Sequence, residues 1–367
     1  MPDNRLTSCP LSRYDNVTVT QHLPWGNVLQ KKRITMADVA RAARVSKMSV
    51  SRVLNNKPGV SEETRQRVLM AVKQLHYVPS PPLHTRASRT RMLALLVPGI
   101  TTAYMAEILR GVCGTAERLN YGLILYTQRL VDDTERTEYY LSLLKNALVD
   151  GVVMVVPRDY EIIVADLKTR GLPYVIVDHR GMGDGPSVTA TNRKGIQDAT
   201  RYLLALGHRR IGFITGRMDV ACSHDRLEGY RNGLAEVGLL FDPELVRKGN
   251  YQQVSGFEQG RCLLELPDPP TAIIASNDLM AFGVMDAAKA AGLKVGEDIS
   301  IVGFDDIDMA SQTHPPLTTV RQPLAEMGEM ALEMLASLIQ GQSLLKRQRE
   351  LPTELIIRGT TGRAPMG

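Results

Sequence analysis

Ile34-Thr35-Met36-Ala37-Asp38-Val39-Ala40-Arg41-Ala42-Ala43-Arg44-Val45-Ser46-Lys47-Met48-Ser49-Val50-Ser51-Arg52-Val53-Leu54-Asn55 is the stretch on which the fold turns. Thr35 stands three residues before Asp38, the pattern of a capping box opening a helix. Met36, Val39, Ala40 and Ala43 then share one helical face. Arg44-Val45 makes a turn, and Ser46 caps a second helix, Lys47–Leu54, whose Val50, Val53 and Leu54 point inward. Ala40 is small where the two helices must cross, and Val45 plugs the turn. Packing therefore leaves Lys47, Met48, Ser49 and Arg52 on the outer face of the second helix. Asn55-Asn56-Lys57-Pro58-Gly59 reads as a further turn. Ser61 caps a third helix, with Glu62 and Glu63 at the positive end of its dipole, and Val68, Val72 and Leu75 close a small core.

Charge separates this head from the rest. Residues 34–91 carry 11 Lys/Arg against 3 Asp/Glu, a net of +8, and residues 1–33 carry a net of +3. The whole chain is only +5, which leaves the other 276 residues at −6. A basic head on an acidic body points to a polyanion met by the head alone. In a helix-turn-helix the second helix enters the DNA major groove with its N-terminal residues nearest the base edges. A plain three-helix bundle explains neither the local charge nor the Ser/Lys/Arg exterior of the second helix.

At 367 residues two or three domains are expected, and 44% hydrophobic with 23% charged residues is the balance of a soluble globular protein. Apolar runs fall short of the roughly 20 residues of a membrane span. Residues 1–33 are polar and lack an apolar signal-peptide core, so they read as a disordered leader, or as an over-extended start with Met36 nearby. The cytoplasm is the expected compartment. Cys9, Cys113, Cys222 and Cys262 show no metal-ligating spacing, so neither disulfides nor zinc are expected, and the last three read as small core residues. Tyr77-Val78-Pro79-Ser80-Pro81-Pro82 reads as a stiffened exit from the head.

From Met92 onward apolar strands alternate with amphipathic helices. Strands are expected at Leu93–Val97, Leu123–Tyr126, Gly151–Val156, Tyr174–Val177, Ile211–Thr215, Ala272–Ala275 and Ile299–Phe304. Helices are expected at about 104–119, 134–148, 159–170, 192–206, 224–238, 255–266 and 278–292. Continuous Val/Ile/Leu strands between helices imply open parallel sheets covered on both faces. The alternation is too long for one such sheet, and Ser187–Asn192 reads as a crossing between two lobes.

The string Ile34-Thr-Met-Ala-Asp-Val-Ala40, Val45-Ser-Lys-Met-Ser-Val-Ser-Arg-Val-Leu-Asn55, Val60-Ser61 and Tyr77-Val-Pro79 resembles the lactose-repressor (LacI/GalR) family of bacterial regulators. So do Leu206-Gly-His-Arg-Arg-Ile-Gly-Phe213, Arg226-Leu-Glu-Gly-Tyr230, Ala275-Ser-Asn-Asp-Leu-Met-Ala281, Val302-Gly-Phe-Asp-Asp306 and Pro316-Leu-Thr-Thr-Val-Arg-Gln322. The resemblance covers about residues 34–360. It implies an all-α helix-turn-helix headpiece followed by a two-lobed α/β domain like the periplasmic binding proteins, with Rossmann-like parallel sheets. The divisions it suggests are a leader at 1–33, a headpiece at 34–79, a hinge linker at 80–91, an effector-binding domain at 92–360 and a tail at 361–367. Lobe one would hold about 92–191 and 321–345, and lobe two about 192–320 and 346–360.

Function follows as an expectation: a homodimeric repressor on a pseudo-palindromic double-stranded operator, controlled by a small molecule, most naturally a sugar, with no cofactor and no membrane partner. Thr35, Ser46, Ser51 and Asn55 join Lys47, Met48, Ser49 and Arg52 in the DNA contacts the resemblance implies. In the family hinge an Ala and a Leu follow Tyr-x-Pro-Asn, and the Leu wedges into the minor groove. Here Leu83 and Arg86 stand at those places, so a displaced wedge at Leu83 or groove reading by Arg86 is expected instead. For the effector, the resemblance points to Arg226, Asn277, Asp305 and Gln322, with Tyr251 as stacking aromatic. Tyr104 and Met105 are the matching lobe-one residues, joined by Asp178 at the end of a strand. Independently, ligands of open α/β sheets bind at the carboxyl ends of strands, which is where Asn277, Asp278 and Asp305 fall. Asp278 and Asp306 also suit helix caps, and His208 reads as structural.

Two rivals make different demands. A stand-alone solute-binding protein needs export, which residues 1–33 do not offer. A sugar-modifying enzyme needs a catalytic pair, and the chain has no GxGxxG after the first strand, no Walker motif and no GxSxG elbow. Gly111-Val-Cys-Gly114 lies in an amphipathic helix and reads as close packing. The end of the chain lacks heptads, so a dimer rather than a tetramer is expected.

Overall fold

Thr35 opens the first helix as its composition demands. Its hydroxyl accepts from the Asp38 amide at 3.4 Å while the Asp38 carboxylate accepts from the Thr35 amide at 2.9 Å, a closed capping box. Helix α1 (Met36–Ala43) ends at Arg44, which takes the left-handed conformation with φ of 54°. The Ser46 hydroxyl accepts from the Ser49 amide at 3.0 Å and starts α2 (Lys47–Leu54). Ser61 does the same for α3 (Glu62–Gln74), accepting from the Thr64 amide at 3.3 Å. Val39, Ala40, Ala43, Val50, Val53, Val68 and Ala71 form the core of this head, with Met36, Val45, Leu54, Val72 and Leu75 packed around it.

The computed structural model describes residues 35–54, 58–75, 90–127, 140–144, 148–156, 160–179 and 185–365, which fall into two compact units divided between Arg86 and Ala87. Asn55, Leu83, Arg86 and the leader at 1–33 lie outside the described residues. Among those described, no helix is long and apolar enough to cross a membrane, and no three His, Cys, Asp or Glu side chains gather as a metal site.

The second unit is built on two six-stranded sheets. In lobe one the strands are β1 (Met92–Val97), β2 (Gly122–Thr127), β3 (Gly151–Val155), β4 (Tyr174–Val177), β5 (Ser187–Ala190) and β11 (Gln348–Leu351), in the order β11-β5-β4-β3-β1-β2. In lobe two they are β6 (Ile211–Thr215), β7 (Val246–Lys248), β8 (Ala272–Ala275), β9 (Ser300–Asp305), β10 (Thr318–Arg321) and β12 (Glu354–Ile356), in the order β12-β10-β9-β8-β6-β7. All pairings are parallel except that of β12 with β10. The helices that matter below are α4 (Ala103–Arg118), α5 (Tyr160–Thr169), α6 (Asn192–Ala205), α7 (Ala221–Ala235), α8 (Gln253–Leu264), α9 (Asp278–Ala290), α10 (Asp308–Gln312) and α11 (Leu324–Ile339).

Two-faced burial explains the unbroken apolar strands. Leu93, Leu95, Val97, Val153, Val155, Val175 and Val177 enter one core beneath α4 and α11. Their neighbours Ala94, Leu96, Val152, Met154 and Ile176 enter the opposite core beside α5. Period-2 alternation thus sorts residues between two cores, and each buried Val, Leu or Ile contributes about 1.5–3 kcal/mol. Where α4 meets α11, a Cβ on Gly111 would stand 1.9 Å from the Ala325 carbonyl oxygen, whereas one on Gly114 would meet nothing within 4 Å. Close packing therefore applies to Gly111 alone.

Several expectations are corrected. Ser187–Ala190 is itself a strand of the lobe-one sheet, and the crossing narrows to Thr191. Residues 346–351 belong to lobe one, not lobe two, because Gln348–Leu351 pairs with Ser187–Ala190. Arg321 ends a lobe-two strand, so the other crossings lie at about 322–323 and 352–353. Strands β7, β11 and β12 are edge-placed and only three or four residues long, and the first two are largely polar, so they leave no apolar run long enough to detect. Cys113 is exposed and Cys262 half-buried; among the described cysteines only Cys222 is a core residue.

Candidate functional site

The head presents the face that packing left over. Lys47, Met48 and Arg52 are exposed, Met48 by 67% of its surface, and Ser49 and Ser51 are half-buried beside them. The hydroxyls of Thr35 and Ser46 are engaged in the caps, and the Ser46 and Ser49 hydroxyls meet at 2.9 Å. Gly59, read from the sequence as the end of a turn, also bears on this face. It sits at φ of 94°, and a Cβ there would come 3.1 Å from Arg52 Nη1, so the glycine shapes the floor under that guanidinium.

In the second unit, polar side chains of both lobes converge at the carboxyl ends of strands. Arg226 on α7 is 2% exposed, and its guanidinium carbon lies 3.8 Å over the Phe304 ring. Its Nε donates to Asn192 Oδ1 at 2.8 Å, and Nη1 donates to the Ser276 carbonyl, with Asp305 Oδ1 at 4.0 Å. Asp305, the last residue of β9, holds φ of 117° and accepts from Gln322 Nε2 at 2.7 Å. From lobe one, the Tyr104 hydroxyl donates to Asp178 Oδ2 at 2.8 Å; Asp178 also has positive φ, 55°. Such backbone strain is typical of functional sites. The Tyr251 hydroxyl meets Ser223 Oγ at 2.5 Å, and its ring lies so close to Gly216 that a Cβ there would stand 1.9 Å from Cζ.

Burial sets the electrostatics. It pushes the Asp178 carboxyl up and raises Asp305 to about 7 despite the nearby Arg226. Burial, with Asp305 close by, lifts Asp278 well above the carboxylate range. The Tyr104 and Tyr251 hydroxyls rise for the same reason, and Cys222 is pushed up to about 12, an inert thiol. Burial opposes the charge of Arg226, but Cys222, Tyr251, Asp305 and Asp178 outweigh it and hold the guanidinium more firmly charged than usual.

Not every expected residue faces this site in the same way. Met105 is 1% exposed and packs in the lobe-one core with Ile108 and Val112, because it falls on the inward stripe of α4; it is not cleft-facing. Asn277, expected to face a ligand, spends its side chain locally: Oδ1 caps α9 by accepting from the Met280 amide, and Nδ2 donates to the Tyr251 carbonyl. Asp278 is no cap; it accepts from the Ile307 amide and the Thr319 hydroxyl. Asp306 pairs with Arg321 and Arg358, each at 2.7 Å. His208 is buried among Thr271, Ser300 and Gly362, and burial holds it neutral.

Asn192 was missed by motif reading and ties the site to the lobe crossings. It takes Arg226 Nε on Oδ1 and donates from Nδ2 to the Ala190 carbonyl at 3.2 Å. At the neighbouring crossing the Thr191 and Thr353 hydroxyls meet at 2.8 Å, and the Thr353 amide donates to Thr191 Oγ1 at 2.9 Å. Gln322, bonded to Asp305, is the third crossing.

Comparison with known proteins agrees with this geometry. Residues 35–80 match the model for bacterial regulatory proteins of the lacI family, and residues 200–361 match a periplasmic binding protein-like domain. The HTH-type transcriptional repressor CytR of Escherichia coli K12 is 35% identical over 342 residues, spanning 92% of this chain and 98% of that protein. Among solved structures, the transcriptional regulator CelR–cellobiose complex is 32% identical with a TM-score of 0.69, covering 89% of this chain and all of that one. The lac repressor dimer bound to operator and the anti-inducer ONPF is 29% identical, also with a TM-score of 0.69, covering 90% of this chain and all of that one. The chain belongs to the lacI family of bacterial regulatory proteins: it is a DNA-binding transcriptional regulator under small-molecule control, and not an enzyme.

Proposed function

We propose that the chain represses transcription as a homodimer on a pseudo-palindromic operator, and that a sugar or sugar derivative binds between the lobes and alters operator affinity. A repressor of this kind works on DNA in the cytoplasm. The observation that carries the effector reading is the convergence of Tyr104, Asp178, Arg226, Asp305 and Gln322 from two lobes onto one buried locus. Carboxylates and amides suit hydroxyls, a guanidinium offers a planar fork, and the Tyr251 ring suits apolar C–H surface. The cellobiose in the CelR complex and the operator on the lac repressor dimer support both halves. Lys47, Met48, Ser49, Ser51 and Arg52 would read base edges, with the Met48 side chain suited to a thymine methyl. The helix starts at Thr35 and Ser46 would meet phosphates, and Asn55, Leu83 and Arg86 complete the set by resemblance. Asn277 and Met105 would act on the effector only through the side chains they support. Effector and operator must shift each other's affinity by the same factor.

The test is a calorimetric screen of neutral sugars against the full chain, repeated on Arg226→Lys and Asp178→Ala. Each variant should weaken the best ligand by about 1–3 kcal/mol, since hydroxyls lose partners in a desolvated site. Operator affinity without ligand should stay at the parent value. Unchanged ligand affinity in both variants would move the effector elsewhere.

A further inference from the structure

Three buried polar atoms at the cleft lack a partner in the protein: Asp178 Oδ1, Gln322 Oε1 and Ser276 Oγ. Their residues are 3%, 4% and 0% exposed. Asp178 follows β4 in lobe one, while Ser276 and Gln322 follow β8 and β10 in lobe two, so the orphans lie where the two sheets present their carboxyl ends. An amide oxygen only accepts, as does an ionised carboxylate, and a serine hydroxyl does either. Buried groups left in this way require a bonding partner. That partner must be a molecule rich in donors.

Charge narrows the class further. Arg226 is the buried cation among the described residues, and its guanidinium is already faced by Asp305 at 4.0 Å. Asp178 acts on Arg226 from the other lobe, and Asp178 and Asp305 also act on one another. Above about pH 7, where Asp305 is ionised, a phosphate or carboxylate brought to Arg226 would meet both carboxyl groups in a site from which water is displaced, where like charges repel strongly.

Taking the cleft as the effector site, we infer that it selects an uncharged, donor-rich ligand bridging Asp178 of lobe one to Gln322 and Ser276 of lobe two, and that Asp178 and Asp305 together exclude phosphorylated or carboxylated sugars. Arg226 is then a fixed donor whose charge is already spent on the protein, and an anion has no free cation to bind.

Inorganic phosphate is the direct probe, used on the full chain at about pH 8 with sodium chloride as the ionic-strength control. The parent should show no saturable rise in Tm with phosphate. The Asp178→Asn, Asp305→Asn double variant should acquire one of a few degrees, and adding Arg226→Lys should reduce it. Should the double variant not fold, each single Asn variant takes its place, with a smaller gain. Calorimetry with ribose against ribose 5-phosphate, and glucose against glucose 6-phosphate, gives a second arm in which no phosphorylated form should exceed its neutral partner. Saturable phosphate binding by the parent that Arg226→Lys weakens overturns the inference, as does the failure of every Asn variant to gain it. These outcomes are separate from failure of the site itself, which shows as neutral-sugar binding indifferent to Arg226→Lys and Asp178→Ala.

Discussion

The head and the body place their working residues on opposite sides of the same physical divide. In the head, Lys47, Met48 and Arg52 are what remains outside once Val50 and Val53 have gone in. They cost the fold little and hold it together little. In the body, Arg226, Asp305, Asp178 and Gln322 are nine-tenths buried or more, with Gln322 bonded to Asp305 beside the Arg226 guanidinium and Asp178 bonded to Tyr104. A recognition surface of the first kind can change without endangering the fold, whereas one of the second kind is part of it.

The largest expected effect tests that contrast directly. Arg226→Met removes the cation from a buried cluster of carboxyl groups and should cost about 3–5 kcal/mol of stability by urea denaturation. The loss should be deeper at about pH 8 than at pH 5, where the stranded carboxyls can take up protons instead. Arg52→Ala on the exposed face should change stability by no more than about 0.5 kcal/mol. Equal losses for the two would erase the distinction.

Asp305 sharpens the comparison through pH. Its carboxyl stays protonated in the fold up to about 7, above its ordinary range, because it is buried. Between roughly pH 4 and 7 the folded chain therefore holds a proton that the unfolded chain has released, and stability from this group falls as pH rises. Each pH unit of that window is worth about 1.4 kcal/mol. Asp305→Asn should match the parent near the bottom of the window and exceed it above the top, with a flatter Tm profile between. A parallel profile would mean that the carboxyl ionises as freely as a surface one.

In the head the losses should fall on affinity. Against an operator selected from random duplexes, Lys47→Ala and Arg52→Ala should each lose about 1–3 kcal/mol if they contact bases. Their thermal stability should not move. Parent-like binding by both at matched salt would remove the second helix from the groove. Smallest of all, Thr35→Ala deletes one cap hydroxyl and should cost the head about 1 kcal/mol, read by hydrogen exchange along α1.

Legibility in the sequence follows the same divide. The head is governed by local rules, so Thr35, Asp38, Ser46 and Ser61 announce each helix start and the outer face follows by subtraction. The buried strands show as apolar runs because both faces of each sheet are covered. Positions such as Asp305 and Asp178 are legible as strand ends. What long-range contact decides is not: that Asn277 is consumed as a cap, that Met105 turns inward, or that Gln348–Leu351 joins lobe one. Asn192 carries no local mark of its role, because its partner Arg226 lies 34 residues on and meets it only when α6 packs against α7.

The bonds from Arg226 through Asn192 to Ala190, and from Asp305 to Gln322, mean that the site and the pivot of the two lobes coincide. For a given rotation, displacement grows with distance from the axis. Atoms touching the ligand would therefore move little while the outer strands swing far, as at the short arm of a lever. Contact energy at the short arm is converted to motion with little slack. It also follows that binding and transmission share the same few atoms. A change at Asn192 or Gln322 would alter the fraction of molecules in the receptive geometry, and apparent affinity scales with that fraction even when every ligand contact is intact. Variants at the pivot should thus shift ligand affinity and regulatory response together, in a fixed ratio, whereas variants at the rim of the cleft should move affinity alone.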